Sequence, residues 1–130
     1  MIAIDTNILV RLLANDDPAQ SPKAAQLFAS EDVFVPKTVL LETEWVLRFS
    51  YRLQRATIAA AFGKLLAAAS VTIEDAEAVR TAVDAITAGM DFADALHLSS
   101  SAETDKFLTF DRKLARSASR AKMPLRVQVI

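Results

Sequence analysis

The chain has 130 residues, of which 52% are hydrophobic and 24% charged, with a formal net charge of −1 and no cysteine. This composition predicts a single domain, residues 1–130, with a hydrophobic core, and it excludes a disordered chain, a disulfide-stabilised fold and a thiolate metal site. No apolar run approaches the roughly 18 residues of a membrane span. We expect a cytoplasmic protein without a signal peptide, because an acid interrupts the first apolar stretch.

Short apolar segments alternate along the chain with longer segments of helical periodicity. The predicted strands are residues 1–5, 33–36, 71–73, 106–110 and 125–130. The predicted helices are residues 6–14, 19–30, 38–51, 56–69, 75–88, 91–103 and 111–119. This alternation predicts an α/β fold with a central, mostly parallel sheet of four to five strands flanked by helices.

Two aspartates follow predicted strands. Asp5 interrupts the apolar run IDTNILVRLL, and Asp111 follows the strand LTF. A buried, unpaired carboxylate is costly, so the apolar flanks of Asp5 imply a compensating partner. In open α/β sheets, ligands bind outside the carboxyl ends of the strands, where both acids fall. Helix capping is the alternative for both, and it is weaker for Asp5 because Thr6 could also cap.

The helix TVLLETEWVLRFSY carries two glutamates. Glu42 shares a helical face with Trp45 and Phe49, which lie three and seven positions further on. We expect this face to be buried, and we expect Glu44 to be a surface residue paired with Arg48 at i+4. A glutamate on a buried face needs a compensating group, which is either a basic side chain or a divalent metal ion.

The motif GMDFADALHL places Asp91 at a helix N-cap and Asp94 three residues later. The pair fits capping and a favourable interaction with the helix dipole. Apolar residues surround Asp94, so it could equally point inward. His97 is the only histidine, and we expect it to be packed or hydrogen-bonded rather than a metal ligand, since no second histidine or cysteine accompanies it.

In the predicted α/β topology, we expect four carboxylates to lie close together at one edge of the sheet. They are Asp5, Glu42, Asp94 and Asp111. All-oxygen sites suit Mg²⁺ or Mn²⁺ rather than zinc. Such ions activate water for attack on phosphorus and screen the phosphate oxygens, which predicts phosphodiester hydrolysis. The chain has no GxxxxGK[ST] loop, so the sequence does not indicate a P-loop nucleotide site.

The C-terminal segment is basic, with no acid after Asp111. Its cations are Arg112, Lys113, Arg116, Arg120, Lys122 and Arg126. They fit either a solvated helix face and tail or a patch that faces phosphates. Arg112, Lys113 and Arg116 are the candidates for contact with such phosphates.

Four motifs in this order, IDTNILVRLL, VPKTVLLETEWVL, DFADALHL and LTFDRKL, resemble those of PIN-domain ribonucleases, and specifically the VapC-type toxins of bacterial toxin–antitoxin pairs. The resemblance spans about residues 2–115. It implies metal-dependent RNA cleavage, a homodimer and inhibition by a cognate antitoxin protein. It also implies that the four acids are catalytic metal ligands. The supporting residues that it implies are Thr6, Asn7, Asp91 and Thr109, and we expect Asn7 to orient the second oxygen of Asp5.

Other classes of protein remain as alternatives. A receiver-like signalling domain would need an acidic pair after the first strand, where this chain has Thr6 and Asn7 after Asp5, and a lysine that ends a later strand, whereas Lys106 starts one. A haloacid-dehalogenase-like phosphatase would need DxDxT, and residue 7 is asparagine. A catalytically silent PIN scaffold that only binds partners is the third alternative, against which the complete acidic set argues.

Overall fold

The computed structural model describes residues 1–130, and its contacts divide the chain into two units, Met1–Ala76 and Glu77–Ile130. The first unit contains β1 (Ile2–Ala3), α1 (Thr6–Ala14), α2 (Gln20–Ser30), β2 (Val33–Val35), α3 (Lys37–Phe49), α4 (Arg55–Ala67) and β3 (Val71–Ile73). The second contains α5 (Ala76–Thr87, which begins at the last residue of the first unit), α6 (Phe92–Ser99), β4 (Phe107–Thr109), α7 (Arg112–Arg120) and β5 (Val127–Val129). The predicted α/β class is confirmed. None of the seven helices has both the length and the apolarity needed to cross a bilayer.

Every strand pair is parallel. In the first unit β2 lies between β1 and β3, so that Val33 is opposite both Ile2 and Val71. In the second unit β4 pairs with β5, with Phe107 opposite Val127. The predicted parallel pairing is therefore confirmed, and the hydrogen bonds divide the five strands into a group of three and a group of two.

Apolar side chains from the helices and the sheet fill the interior of each unit. The buried residues of the first unit include Leu9, Val10, Val33, Val35, Leu40, Leu47, Ile58 and Phe62. Those of the second unit include Val79, Ala82, Ile86, Phe92, Leu98 and Leu114. β2, in the middle of the three-stranded sheet, is the most buried strand, with Val33 and Val35 fully buried, and it appears in the sequence as a continuous apolar run.

The termini of α1 have clear local causes. The Asp5 carboxylate caps the first turn, and Asn15 ends the helix in the left-handed region, with φ of 49°. Asparagine adopts that region more readily than most residues. The backbone N–H of Asn15 donates to the carbonyl oxygen of Arg11 at 3.2 Å, which satisfies a carbonyl of the last turn. These local signals place Asp5 at the start of the helix, with only Ile4 between it and the end of β1 at Ala3.

The prediction for the buried face of α3 is wrong. Trp45 and Phe49 are 55% and 54% exposed, whereas Glu44 is only 4% exposed. Glu44 accepts hydrogen bonds from Arg48 Nε at 2.8 Å and Nη2 at 3.1 Å. Apolar residues surround this helix, so their spacing does not single out one face. The two aromatic rings pack on each other outside the core, 5.2 Å apart, and Glu42 is exposed with them.

Candidate active site

In the first unit, a cleft of about 570 Å³ contains two of the predicted acids. Asp5 enters it from the start of α1 and Glu42 from α3. The hydroxyl of Thr6 donates a hydrogen bond to Glu42 Oε1, which links the two helices beside the acids. Neither Asp5 nor Glu42 forms an ion pair. The structure therefore brings two carboxylates without a cationic partner to the walls of one cleft.

Asp5 is exposed rather than buried, contrary to what its apolar flanks suggested. Its Oδ1 atom accepts a hydrogen bond from the Ile8 backbone N–H at 3.1 Å, which caps α1. Ile4 is buried at 6% exposure, but the chain turns into the cap at the next residue, so the carboxylate remains in water. Asn7 also lines the cleft, but its side chain makes no hydrogen bond to Asp5.

Arg11 is a residue of this cleft that the sequence analysis missed. Its guanidinium donates to Gln20 Oε1 at 2.7 Å and to the Tyr51 hydroxyl at 3.2 Å, and it lies 3.6 Å from Asp16. It also lines a second cleft of about 400 Å³, next to Asp5. The signal was present in the sequence, because Arg11 follows Asn7 by four positions and therefore lies on the same face of α1.

In the second unit, Asp91 and Asp94 occupy the start of α6. Asp91 Oδ2 accepts a hydrogen bond from the Asp94 backbone N–H at 3.1 Å, so the predicted cap is present. Burial raises the pKa of the half-buried Asp94 carboxyl, and the negative charges of Asp91 and Asp111 raise it further. Positive charge at His97 and Lys113 acts in the opposite direction. Asp94 is therefore a carboxylate in a negative environment.

His97 is exposed, which corrects the expectation of a packed side chain. It lies in the last turn of α6, where a positive charge interacts favourably with the helix dipole. The buried apolar residues of this helix are Phe92, Ala95, Leu96 and Leu98.

Asp111 caps α7 in the same way that Asp5 caps α1. Its Oδ1 accepts hydrogen bonds from the backbone N–H groups of Lys113 and Leu114, at 2.9 and 3.1 Å. Its own backbone N–H donates to Thr109 Oγ1 at 2.9 Å, which fixes the bend between β4 and the helix. Capping uses only one oxygen of the carboxylate, so the cap orients Asp111 without occupying both of its oxygens.

The basic residues of α7 are exposed. Arg112, Lys113 and Arg116 lie in water, while Leu114 and Ala118 of the same helix are buried. None of the three cations forms an ion pair. This arrangement fits both predicted alternatives, the solvated face and the phosphate-facing patch.

The donor chemistry of the acids fits a hard divalent cation, because every predicted ligand is a carboxylate oxygen. Oδ2 accepts no hydrogen bond in either Asp5 or Asp111, so both residues retain an oxygen for a ligand. Within either unit, no group of three or more histidine, cysteine, aspartate or glutamate side chains is arranged to hold a metal ion. Each unit by itself thus offers a partial set of oxygen donors.

Comparison with known proteins assigns the family. The model of the PIN domain matches residues 2–119, which includes all four predicted acids. No protein with a curated description matches the chain. The PIN domain is a nuclease fold, which agrees with an α/β chain in which Asp5 and Asp111 follow parallel strands. Because the match covers most of the sequence, the chain belongs to the PIN domain family.

Proposed function

We propose that this PIN-domain protein is an endoribonuclease that depends on Mg²⁺ or Mn²⁺ and hydrolyses RNA phosphodiester bonds. The observation that supports this most strongly is the cleft of the first unit, where Asp5 and Glu42 lie without a cationic partner. Asp5 caps α1 through Oδ1 alone, so its Oδ2 accepts no hydrogen bond. Glu42 accepts one hydrogen bond, from the Thr6 hydroxyl to Oε1, so each of the two carboxylates retains an oxygen for a ligand.

The proposal gives each acid a role in metal binding. Asp5 and Asp111 are oriented by their caps, and the hydroxyl of Thr6 orients Glu42. Burial and the negative charges of Asp91 and Asp111 raise the pKa of Asp94, and a bound cation would favour its ionised form. When bound, a divalent cation would lower the pKa of water and screen the phosphate oxygens. Asp91 and Thr109 support this set through the caps and bends that they form.

The finer parts of the proposal rest on the resemblance of the motifs. We propose that the protein is the VapC-type toxin of a toxin–antitoxin pair, that it forms a homodimer and that a cognate antitoxin binds across the acids. The PIN family membership removes the receiver-like alternative. A PIN scaffold without catalytic activity remains as the second candidate, since a fold alone does not establish activity.

A cleavage assay tests the central proposal. Purified protein is incubated with total RNA and with single-stranded RNA oligonucleotides, in Mn²⁺, in Mg²⁺ and in chelator. We expect cleavage only with metal, and a loss of at least 100-fold in Asp5→Asn. The matched control is Asp32→Asn, because Asp32 is an exposed aspartate of the same unit whose side chain makes no hydrogen bond or ion pair. Absence of cleavage in both metals would favour the silent scaffold.

A further inference from the structure

Phe110 is an exposed aromatic residue directly before the proposed catalytic Asp111. Its exposed fraction is 82%, larger than that of any other large hydrophobic residue in the chain. Single apolar residues on a protein surface are common and by themselves indicate little. Phe110 differs because of how its backbone is held and because of the charges that follow it.

Hydrogen bonds hold the chain on both sides of Phe110. Before it, the Thr109 carbonyl oxygen accepts from the Ile130 backbone N–H at 3.0 Å. After it, the Asp111 backbone N–H donates to Thr109 Oγ1 at 2.9 Å, and the Asp111 carboxylate caps α7. The ring therefore projects from a bend whose neighbours are already ordered. Little backbone order has to be gained when a ligand binds to such a ring.

The helix that follows Phe110 is positively charged. Arg112, Lys113 and Arg116 are exposed, form no ion pair, and belong to a segment without any acid after Asp111. Cations of this kind are complementary to the phosphates of a nucleic-acid strand. An aromatic ring next to a positively charged surface is the combination that binds single strands, because the ring stacks on a base while the cations contact the backbone.

We propose that Phe110 is a stacking platform for one base of a single-stranded RNA, and that the cations of α7 bind the neighbouring phosphates. This inference rests on the proposed function, and it adds the form of the substrate. Bases in a duplex are stacked on each other, so a ring on the protein surface can stack only on a base of an unpaired segment. Phe110 is thus a substrate-positioning residue next to the proposed catalytic acid.

A protein partner would use the same region differently. Leu108 lies in β4, two residues before Phe110, and is 51% exposed. Ile130 is 61% exposed and follows the paired strand β5. An apolar protein interface would use Leu108 and Ile130 together with Phe110, whereas a stacked base needs the aromatic ring. Leu108→Ala is therefore the matched control.

Binding of labelled single-stranded RNA, measured by fluorescence anisotropy in chelator, tests the proposal without cleavage. We expect Phe110→Ala and Phe110→Leu each to raise Kd about tenfold, within the range for loss of one stacked base. We expect Phe110→Trp to bind at least as tightly as the parent, and Leu108→Ala to stay within twofold. Duplex RNA of the same sequence should bind all of these variants alike.

The salt dependence of binding separates stacking from charge. The Phe110 variants should keep the parent's slope of log Kd against log salt, because they remove no charge. Arg116→Ala should flatten that slope by roughly 0.7, the value for one phosphate contact on a single strand. A parent-like Kd in Phe110→Leu, equal weakening by Leu108→Ala, or a parent that does not bind single-stranded RNA would overturn the proposal. So would a binding loss that follows a change in oligomeric mass on sedimentation, because it would indicate a protein interface.

The two proposals can fail separately. If the parent cleaves RNA with Mn²⁺ and the Phe110 variants bind like the parent, stacking is wrong and the nuclease proposal stands. If the parent and its variants show the expected differences in binding but nothing is cleaved in either metal, the nuclease proposal fails and the stacking site stands.

Discussion

Asp94→Asn should stabilise the metal-free protein at neutral pH. Burial and the charges of Asp91 and Asp111 raise the pKa of Asp94 in the folded state, so the folded protein disfavours the ionised form. The stability associated with this raised pKa is fully present below the unfolded pKa, and it is lost as the pH rises through the folded value. Asparagine cannot ionise, so the variant should melt at or above the parent temperature at pH 7 in chelator.

In saturating metal, the parent should have a higher Tm than Asp94→Asn. A cation at 100 times its dissociation constant stabilises the folded state by about 2.7 kcal/mol. If the 130 residues unfold together, the unfolding entropy is about 0.27 kcal/mol/K, and the parent's Tm should rise by roughly 10 °C. Asp94→Asn removes a proposed ligand, so its Tm should rise clearly less than that of the parent.

Melting curves in chelator and in Mn²⁺, between pH 4 and pH 8, measure both effects. The matched control is Asp105→Asn, because Asp105 is an exposed acid of the same unit without a hydrogen bond or ion pair, and this variant should follow the parent. A lower Tm for Asp94→Asn in chelator at pH 7 would mean that attraction between the charged Asp94 and the start of α6 outweighs the repulsion. If Mn²⁺ raised the Tm of Asp94→Asn by as much as it raises that of the parent, Asp94 would not be a ligand.

Substitutions at three further acids separate catalytic from structural roles. Asp5→Asn should lose cleavage and keep its Tm, because asparagine caps a helix about as well as aspartate, whereas Asp5→Ala should also lose about 1 kcal/mol, or about 4 °C, on melting. Glu42→Gln should lose cleavage at an unchanged Tm, because Glu42 is exposed. Glu44→Gln should lower the stability by about 2 kcal/mol with cleavage retained, because it weakens the buried contact to Arg48. If Glu44→Gln has the same Tm as the parent, the ion pair between Glu44 and Arg48 does not contribute to the stability of the fold.

Local signals predicted where two of the helices begin. Asp5 and Asp111 each combine a strand end, a capping side chain and a following helical segment, and the structure has α1 and α7 starting where these signals place them. The strand 106–110 was predicted too long, because Phe110 looks like part of the strand in sequence but lies in the bend before the cap.

The side-chain environment was harder to predict than the elements. The burial of α3 could not be assigned, because Trp45 and Phe49 look like core residues yet pack on each other, with the guanidinium of Arg48 4.5 Å from the Phe49 ring centre. The exposure of Asp5 was not predicted, because the chain changes direction at this residue and the burial of its apolar neighbours therefore does not extend to it. The contact between Thr6 and Glu42 joins residues 36 positions apart, and no local pattern reports such a contact.

The central claim, hydrolysis of RNA by metal-activated water, is tested most directly from the chemistry of the cleaved ends. Single-stranded RNA is incubated with the parent and Mn²⁺ in H₂¹⁸O, and the new ends are analysed by mass spectrometry. We expect one ¹⁸O atom in each new terminal phosphate, no 2′,3′-cyclic phosphate, and no new ends with Asp5→Asn. Cyclic phosphate ends, or equal amounts of product from Asp5→Asn, would contradict the claim.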